Sequence, residues 1–336
     1  MAQKKLALAL QGGGSHGAYT WGVLDRLLED DRIEIEGLSG ASAGAMNAVV
    51  LADGYTAGGR EGAREALKKF WTKVSEKLGH HGIAAASAVP VPDPTARAYL
   101  YLTRFFSPYQ LNPLNINPLR DIVAEHVDFE RLRDRCAMKL FISATRVSNG
   151  ALRIFPREEL TIDSLLASAC LPSVHHSVEV DGVAYWDGGL TANPPLSALV
   201  YKCAARDLLV VVLNPQGNDV VPSTVEAIGE RLSQITFSST LSAELQAIAL
   251  AKAEAERARF AIGRLDRRLR ALNIHVIDSA QYMAGLAPAS RYNTDAGFIE
   301  ALRDEGRARA EAWLQRNFRA IGTRTTVSMD SPLLQS

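Results

Sequence analysis

Twice near its start the chain passes from a short apolar run, through a glycine-rich turn, into a helical pattern, and few folds accept that repeat. Lys5 to Leu10 is such a run and stops at Gly12-Gly13-Gly14; in residues 18–29 Val23, Leu24, Leu27 and Leu28 then fall on one helical side. Ile33 to Leu38 enters Gly40-Ala41-Ser42-Ala43-Gly44, and a helix of small residues follows over 45–52. Parallel strands need a helical crossover between them, so this alternation predicts an α/β fold with a parallel sheet.

Composition suits that reading. The chain has 336 residues, 47% hydrophobic and 22% charged, which excludes disordered, collagen-like and coiled-coil architectures. At about 150 residues per domain the length allows two domains, or one α/β domain with a helical annex, and a core of that size needs no staple. Its 37 basic and 37 acidic side chains leave no net charge, so no nucleic-acid partner is expected. Cys136, Cys170 and Cys203 are odd in number and far apart, which fits a reducing compartment better than a disulfide framework or a thiolate metal site. The apolar stretch Leu6–Leu10 is shorter than the h-region of about 7–15 residues in a secretory signal. No run approaches the roughly 20 apolar residues of a membrane span. A cytoplasmic location is expected.

Further strands are predicted over 139–145, 152–155, 178–186, 208–213 and 274–278, with helices over 58–78, most of 224–272, and 297–318. Between 79 and 118 the pattern is broken by prolines 90, 92, 94, 108, 113 and 118, and Tyr99–Tyr109 packs five aromatic rings into eleven residues. That stretch reads as a lid or adsorbing flap, or more plainly as a helix packed over the sheet. The run Arg257–Arg270 holds six arginines and one acid, Asp266, and reads as a solvated helix face or subunit contact of a homo-oligomer, or as a patch for anionic lipid. Residues 321–336 carry no pattern and are expected to be loose.

Three constellations carry chemistry. Gly40-Ala-Ser42-Ala-Gly44, between a strand and a helix, has the form of a nucleophile elbow, in which Ser42 occupies a strained turn and Gly40 and Gly44 admit the close approach of strand and helix. Gly12, Gly13 and Gly14, with Gly17 after them, leave backbone N–H groups bare at a helix start. That loop suits an oxyanion hole. It also fits a dinucleotide fingerprint, because Gly12, Gly14 and Gly17 match GxGxxG and Glu34 or Glu36 lies roughly 20 residues on. Asp187, freed by Gly188 and Gly189 at the end of a strand, points into the same crevice or forms a simple Asp-Gly turn.

A serine hydrolase ordinarily uses a histidine, yet no histidine here has a local pattern. His275 lies inside an apparent strand, His175 and His176 could follow Asp128 or Asp163 but no local pattern marks either acid, and His16 sits in the glycine loop. Asp187 remains as the candidate base. A free carboxylate, near pKa 3.9, would need desolvation and direct contact with Ser42 to serve.

In this order and on these elements the motifs resemble the patatin-like phospholipases, a family that joins a glycine-rich oxyanion loop, a GxSxG elbow and a DG[GA] aspartate in a Ser–Asp dyad without histidine. The resemblance covers Leu6 to about Leu199. Residues 167–172 are similar to the family's segment before the aspartate, and Asn193-Pro194-Pro195 to the segment after it. It implies a three-layer α/β/α catalytic domain over 6–200, the 79–118 insertion within it, and C-terminal strands and helices over 201–320. It further implies Ser42 as nucleophile, Asp187 as general base, the Gly12–Gly14 amides as oxyanion donors, lipid or acyl-ester substrates with peripheral membrane contact, and neither metal nor nucleotide cofactor. One departure stands out: family members commonly carry Arg or Lys where this chain has His16, a cation only below about pH 6.5. Two rival readings stay open, a dinucleotide-binding oxidoreductase using Gly12–Gly17 and a lipid-binding protein that keeps the fold without turnover.

Overall fold

Alternation along the first strand, β1 (Lys4–Leu10), sets the layering. Leu6, Leu8 and Leu10 enter one buried cluster, while Ala7 and Ala9 enter a second on the opposite face. The strand β7 (Asp207–Val212) divides its residues in the same way, as a period of two requires when both faces of a sheet are covered. The computed structural model describes residues 3–79, 102, 105–213, 221–258 and 263–327. Among these, eight strands form one sheet in the order β5-β6-β3-β2-β1-β7-β8, with β4 also on β3. The remaining strands are β2 (Ile33–Gly40), β3 (Lys139–Arg146), β4 (Leu152–Pro156), β5 (Val178–Val180), β6 (Val183–Asp187) and β8 (Asn273–Asp278). Strands β1, β2, β3, β7 and β8 run parallel; β4, β5 and β6 are antiparallel additions.

One layer holds α1 (Gly17–Glu29), α2 (Ala43–Gly79), α3 (Ile162–Ser168) and α6 (Ala296–Asn317). The other holds α4 (Leu196–Lys202), α5 (Val225–Arg257) and the short helix Arg264–Arg270. The expected α/β/α architecture is therefore present. Helix α2 is longer than its small-residue start suggests, because the amphipathic segment predicted over 58–78 continues it across a kink at Gly58 and Gly59. The single strand expected over 178–186 is a hairpin, β5–β6, turned at Asp181 (φ 50°) and Gly182 (φ 74°).

Two sequence expectations meet local chemistry. The segment expected to be loose is tied to β8 in its first part: Ile274 donates to Thr325 Oγ1 at 3.2 Å, and Thr326 N–H donates to the Ile274 carbonyl at 3.0 Å. In the basic run, Arg268 donates to the Val200 and Ala204 carbonyls and Arg270 to those of Ala255 and Ala258, so both clasp helix ends. Residues 80–101 and 103–104 of the aromatic insertion, 259–262 of the basic run, and 328–336 lie outside the described residues. Among the described residues no helix is long and apolar enough to cross a membrane, and no group of His, Cys, Asp and Glu could hold a metal.

Candidate active site

Strand β2 ends at Gly40, α2 begins at Ala43, and the turn between them holds Ser42 at φ 52°, a conformation L residues seldom adopt. The Ser42 amide is held by the carbonyl and the hydroxyl of Ser168 at the end of α3, at 3.1 and 3.0 Å. Crowding explains the flanking glycines. A Cβ on Gly40 would lie 2.6 Å from the Ala45 nitrogen, and one on Gly44 would strike the Leu10 carbonyl. Gly17 likewise lets α1 lie against Ala43.

Asp187 reaches the same place from β3. Phe141 and Ile142 pair with both β2 and β4, while Ala144 and Thr145 pair with both β4 and β6. Strand β4 therefore takes one edge of β3, and β2 and β6 follow one another along the opposite edge. Where β2 departs into the elbow at Gly40, β6 arrives with Asp187. Asp187 is fully buried; its Oδ1 accepts from the Gly189 N–H at 2.7 Å. Oδ2 has no hydrogen-bond partner among the described residues. Burial pushes the carboxyl up to about 7, against the opposing effects of the Gly189 N–H and of the nearby Ser42 hydroxyl. The Ser42 hydroxyl is thus close enough to act on the carboxyl, without a short hydrogen bond formed between them. Gly188 presses on the Ser143 carbonyl and Gly189 on the Phe237 ring, so neither admits a side chain.

The glycine loop lies between β1 and α1. Gly12 would bring a Cβ within 2.8 Å of Ser42 Cβ, which fixes how closely loop and elbow approach. Its amide is occupied, donating to Asn193 Oδ1 at 2.7 Å, and Asn193 in turn donates to the Phe237 carbonyl at 2.8 Å. The amides next along the loop, of Gly13 and of Gly14 (φ 61°), have no such acceptor among the described residues. His16 is buried against Ser290, Nε2 to Oγ 2.8 Å, and is pushed down to about 4 by burial and then by the Arg291 charge. It is neutral near pH 7.

The other histidines are placed differently. His275 is fully buried on β8 with both ring nitrogens engaged, by Asp207 at 2.9 Å and Thr326 at 2.8 Å. His176 stacks on Tyr109, and His175 lines a cavity beside Ser42 with its pKa lowered by burial. The acids of the dinucleotide reading are spent on structure: Glu34 pairs with Lys5, and Glu36 accepts from Lys139, Ala204 and Ala205. Both precede the carboxyl end of β2, where a ribose-binding acid would be needed.

Ser42 opens onto two cavities, of about 320 and 220 Å³. The model of the family described as patatin-like phospholipase matches residues 8–200. The chain belongs to that family. It is also similar to the uncharacterized protein YjjU of Escherichia coli (strain K12), 24% identical over 221 residues, or 62% of this chain and 51% of the relative. The match thus spans about half of that relative's length. Among solved structures, it is similar to VipD from Legionella pneumophila (TM-score 0.45, 14% identity, 94% of this chain and 67% of that one). It is similar as well to the ExoU–SpcU complex from the type III secretion system of Pseudomonas aeruginosa (TM-score 0.34, 19% identity, 99% and 74%). Ser42, Asp187 and the glycines of the site all lie inside the patatin-like match; Phe237, Ser290 and Arg291 lie beyond it. Ser168 and Asn193 sit in stretches singled out for their resemblance, without a role attached. For Arg291 the sequence offers no signal.

Proposed function

We propose that the protein is a serine acyl-ester hydrolase acting on lipids, with Ser42 as nucleophile and Asp187 as general base. One observation carries the reading: a fully buried carboxylate, with an oxygen lacking any partner among the described residues, faces the hydroxyl of a serine held on a left-handed elbow. A base whose pKa lies near 7 matches a serine far better than an ordinary carboxylate does. Family membership supports the same chemistry.

Asp187 accepts the Ser42 proton as Oγ attacks the acyl carbonyl carbon. The Gly13 and Gly14 amides donate to the oxyanion, and Gly12, its own amide engaged by Asn193, holds the loop against the elbow. The tetrahedral intermediate collapses, the alcohol leaves with the proton from Asp187, and the acyl group stays on Ser42. Water then gives a proton to Asp187 and attacks the acyl-enzyme; the fatty acid departs as Ser42 Oγ regains its proton. No step requires a metal or a nucleotide. Exposed Phe105, Phe106, Leu114 and Ile116 support contact with a lipid surface.

Hydrolysis of a panel of acyl esters, lyso- and diacyl-phospholipids included, by wild type and Ser42→Ala tests the reading. Release of fatty acid by wild type alone is expected; equal release by both proteins contradicts it.

A further inference from the structure

Four groups surround a carbonyl carbon under attack, and the site fixes three of their directions. Ser42 Oγ brings the new bond, the oxyanion lies toward the glycine loop, and the leaving oxygen lies toward Asp187, from which it takes its proton. A Cβ on Gly189 would sit 2.5 Å from the Phe237 ring and 3.1 Å from Asp187 Oδ1, so that ring stands beside the carboxyl. Phe237 and Leu190 both line the larger cavity, along with the hydroxyls of Ser173, Ser233 and Thr236. Neither of the two lines the smaller one. The leaving alcohol is thereby directed to the larger cavity, and the fourth direction, that of the acyl chain, leads to the smaller.

The smaller cavity suits a hydrocarbon chain. Ala43, Met46, Phe70, Trp71, Val74 and Leu78 form its wall along α2. The Trp71 indole N–H donates to Asn47 Oδ1 at 3.0 Å, so this wall presents hydrocarbon. Of the other lining residues, Asn112 exchanges hydrogen bonds with the Ile116 backbone, Asn117 caps at Leu119, and burial holds His175 toward its neutral form. Arg291 lines both cavities and so does not tell them apart.

Two measures set the length of chain. From Phe70 to Leu78 the helix rises about 12 Å, the span of an extended chain of roughly ten carbons. At about 30 Å³ for a group the size of a water, the 220 Å³ of the cavity hold roughly seven methylenes. Ile116, which also lines the cavity, is exposed, so carbons beyond these meet solvent.

We propose that the α2 cavity is the acyl-chain site, that it takes medium chains of about eight to ten carbons, and that Val74 is its specificity-determining residue. Val74 is buried midway between Phe70 and Leu78, where a larger side chain displaces the outer half of the acyl chain. This rests on the hydrolase reading above. The C–O bond that breaks lies on the Phe237 side; the alcohol oxygen takes its proton from Asp187 and the acyl carbon stays on Ser42 Oγ.

Ethyl decanoate and decyl acetate are isomers that carry the same long chain on opposite sides of the carbonyl, and they make the test. Wild type should prefer ethyl decanoate in kcat/KM. Val74→Phe should lower the ratio of ethyl decanoate to decyl acetate by about 10- to 100-fold, the worth of two or three expelled methylenes. Along the ethyl esters from butanoate to dodecanoate, wild-type kcat/KM should climb about fourfold per methylene and level off near eight to ten carbons. If Val74→Phe does not fold, Leu78→Trp, nearer the surface, carries the comparison. A ratio unchanged in the folded variant, with turnover that depends on Ser42, overturns the chain site and leaves the hydrolase standing. A wild-type preference for decyl acetate that the variant abolishes places the alcohol in the α2 cavity and also overturns the assignment. No turnover of either isomer, with ethyl decanoate binding to Ser42→Ala protein still weakened by Val74→Phe, supports the chain site and sinks the hydrolase.

Discussion

Gly40 and Asp187 stand two positions apart along a single edge of β3, Gly40 opposite Ile142 and Asp187 opposite Ala144. A parallel strand leaves the sheet there and an antiparallel one takes its line. The elbow serine and the carboxylate, 145 residues apart in sequence, thereby face one another without any long loop to position them. Sites built on strand ends are held more tightly than sites carried on loops.

Asp187 makes the site sensitive to pH. As the proposed base, its carboxyl, pushed from 3.8 up to about 7, serves only when ionised, so kcat/KM should rise with pH through about 7. Stability should move the other way. Between about pH 4 and 7 the native state holds a proton that the unfolded chain has lost, so stability falls by as much as about 1.4 kcal/mol per pH unit for that one group. Asp187→Asn should remove that slope and lower turnover by roughly 10²–10⁴-fold. Thermal melts of both proteins at pH 5 and pH 8 check the first statement, and initial rates the second.

The elbow stores strain. At φ 52° Ser42 costs on the order of 1 kcal/mol or more, which a glycine does not incur. Ser42→Gly should therefore be inactive yet more stable than Ser42→Ala, by about 1 kcal/mol in urea unfolding. Equal stability of the two variants would place the strain elsewhere.

Asn193 braces the loop. Asn193→Ala leaves the Gly12 amide and the Phe237 carbonyl without their partners, at a cost of about 1–3 kcal/mol each if water does not replace them. Melting temperature should drop, and acylation should slow even where the variant is fully folded. Stopped-flow acylation at a temperature well below the melt separates these effects.

In the proposed dyad His275 supports the fold and takes no part in the chemistry. His275→Ala removes one of the three partners of buried Asp207, leaving Asn273 and Gly322, and the tie to Thr326, and should destabilise by about 1–3 kcal/mol. Its acylation rate at low temperature should match wild type. A rate reduced a hundredfold in folded protein would give the histidine a catalytic part.

Much of this was legible in the sequence, and the physical reasons differ by element. The two strand–glycine–helix units could be read because each is local: apolar run, crowding glycine and helical period lie within a few residues of one another. Ser42 came with its elbow, since only tiny neighbours fit there. Asp187 was legible as a candidate, but the burial that raises its pKa arises from β3, β6 and Phe237 meeting in space. The hairpin at Asp181-Gly182 was missed because the apolar residues on both sides run on as though in one strand. Arg291 carried no signal, as its place depends on the packing of residues 288–292 against the glycine loop, a contact between opposite ends of the chain. The tie of Thr326 to β8 is likewise a long-range pairing that no local pattern announces.

In the proposed dyad Asp187, and no histidine, activates Ser42. Fluorophosphonate labelling, mapped by mass spectrometry on wild type, Ser42→Ala, Asp187→Asn and His275→Ala between pH 5 and 9, tests it most directly. Label on Ser42, a rate that rises through about pH 7, a large loss in Asp187→Asn and no change in His275→Ala are expected. Wild-type labelling rates on Ser42 that persist in Asp187→Asn would contradict the dyad.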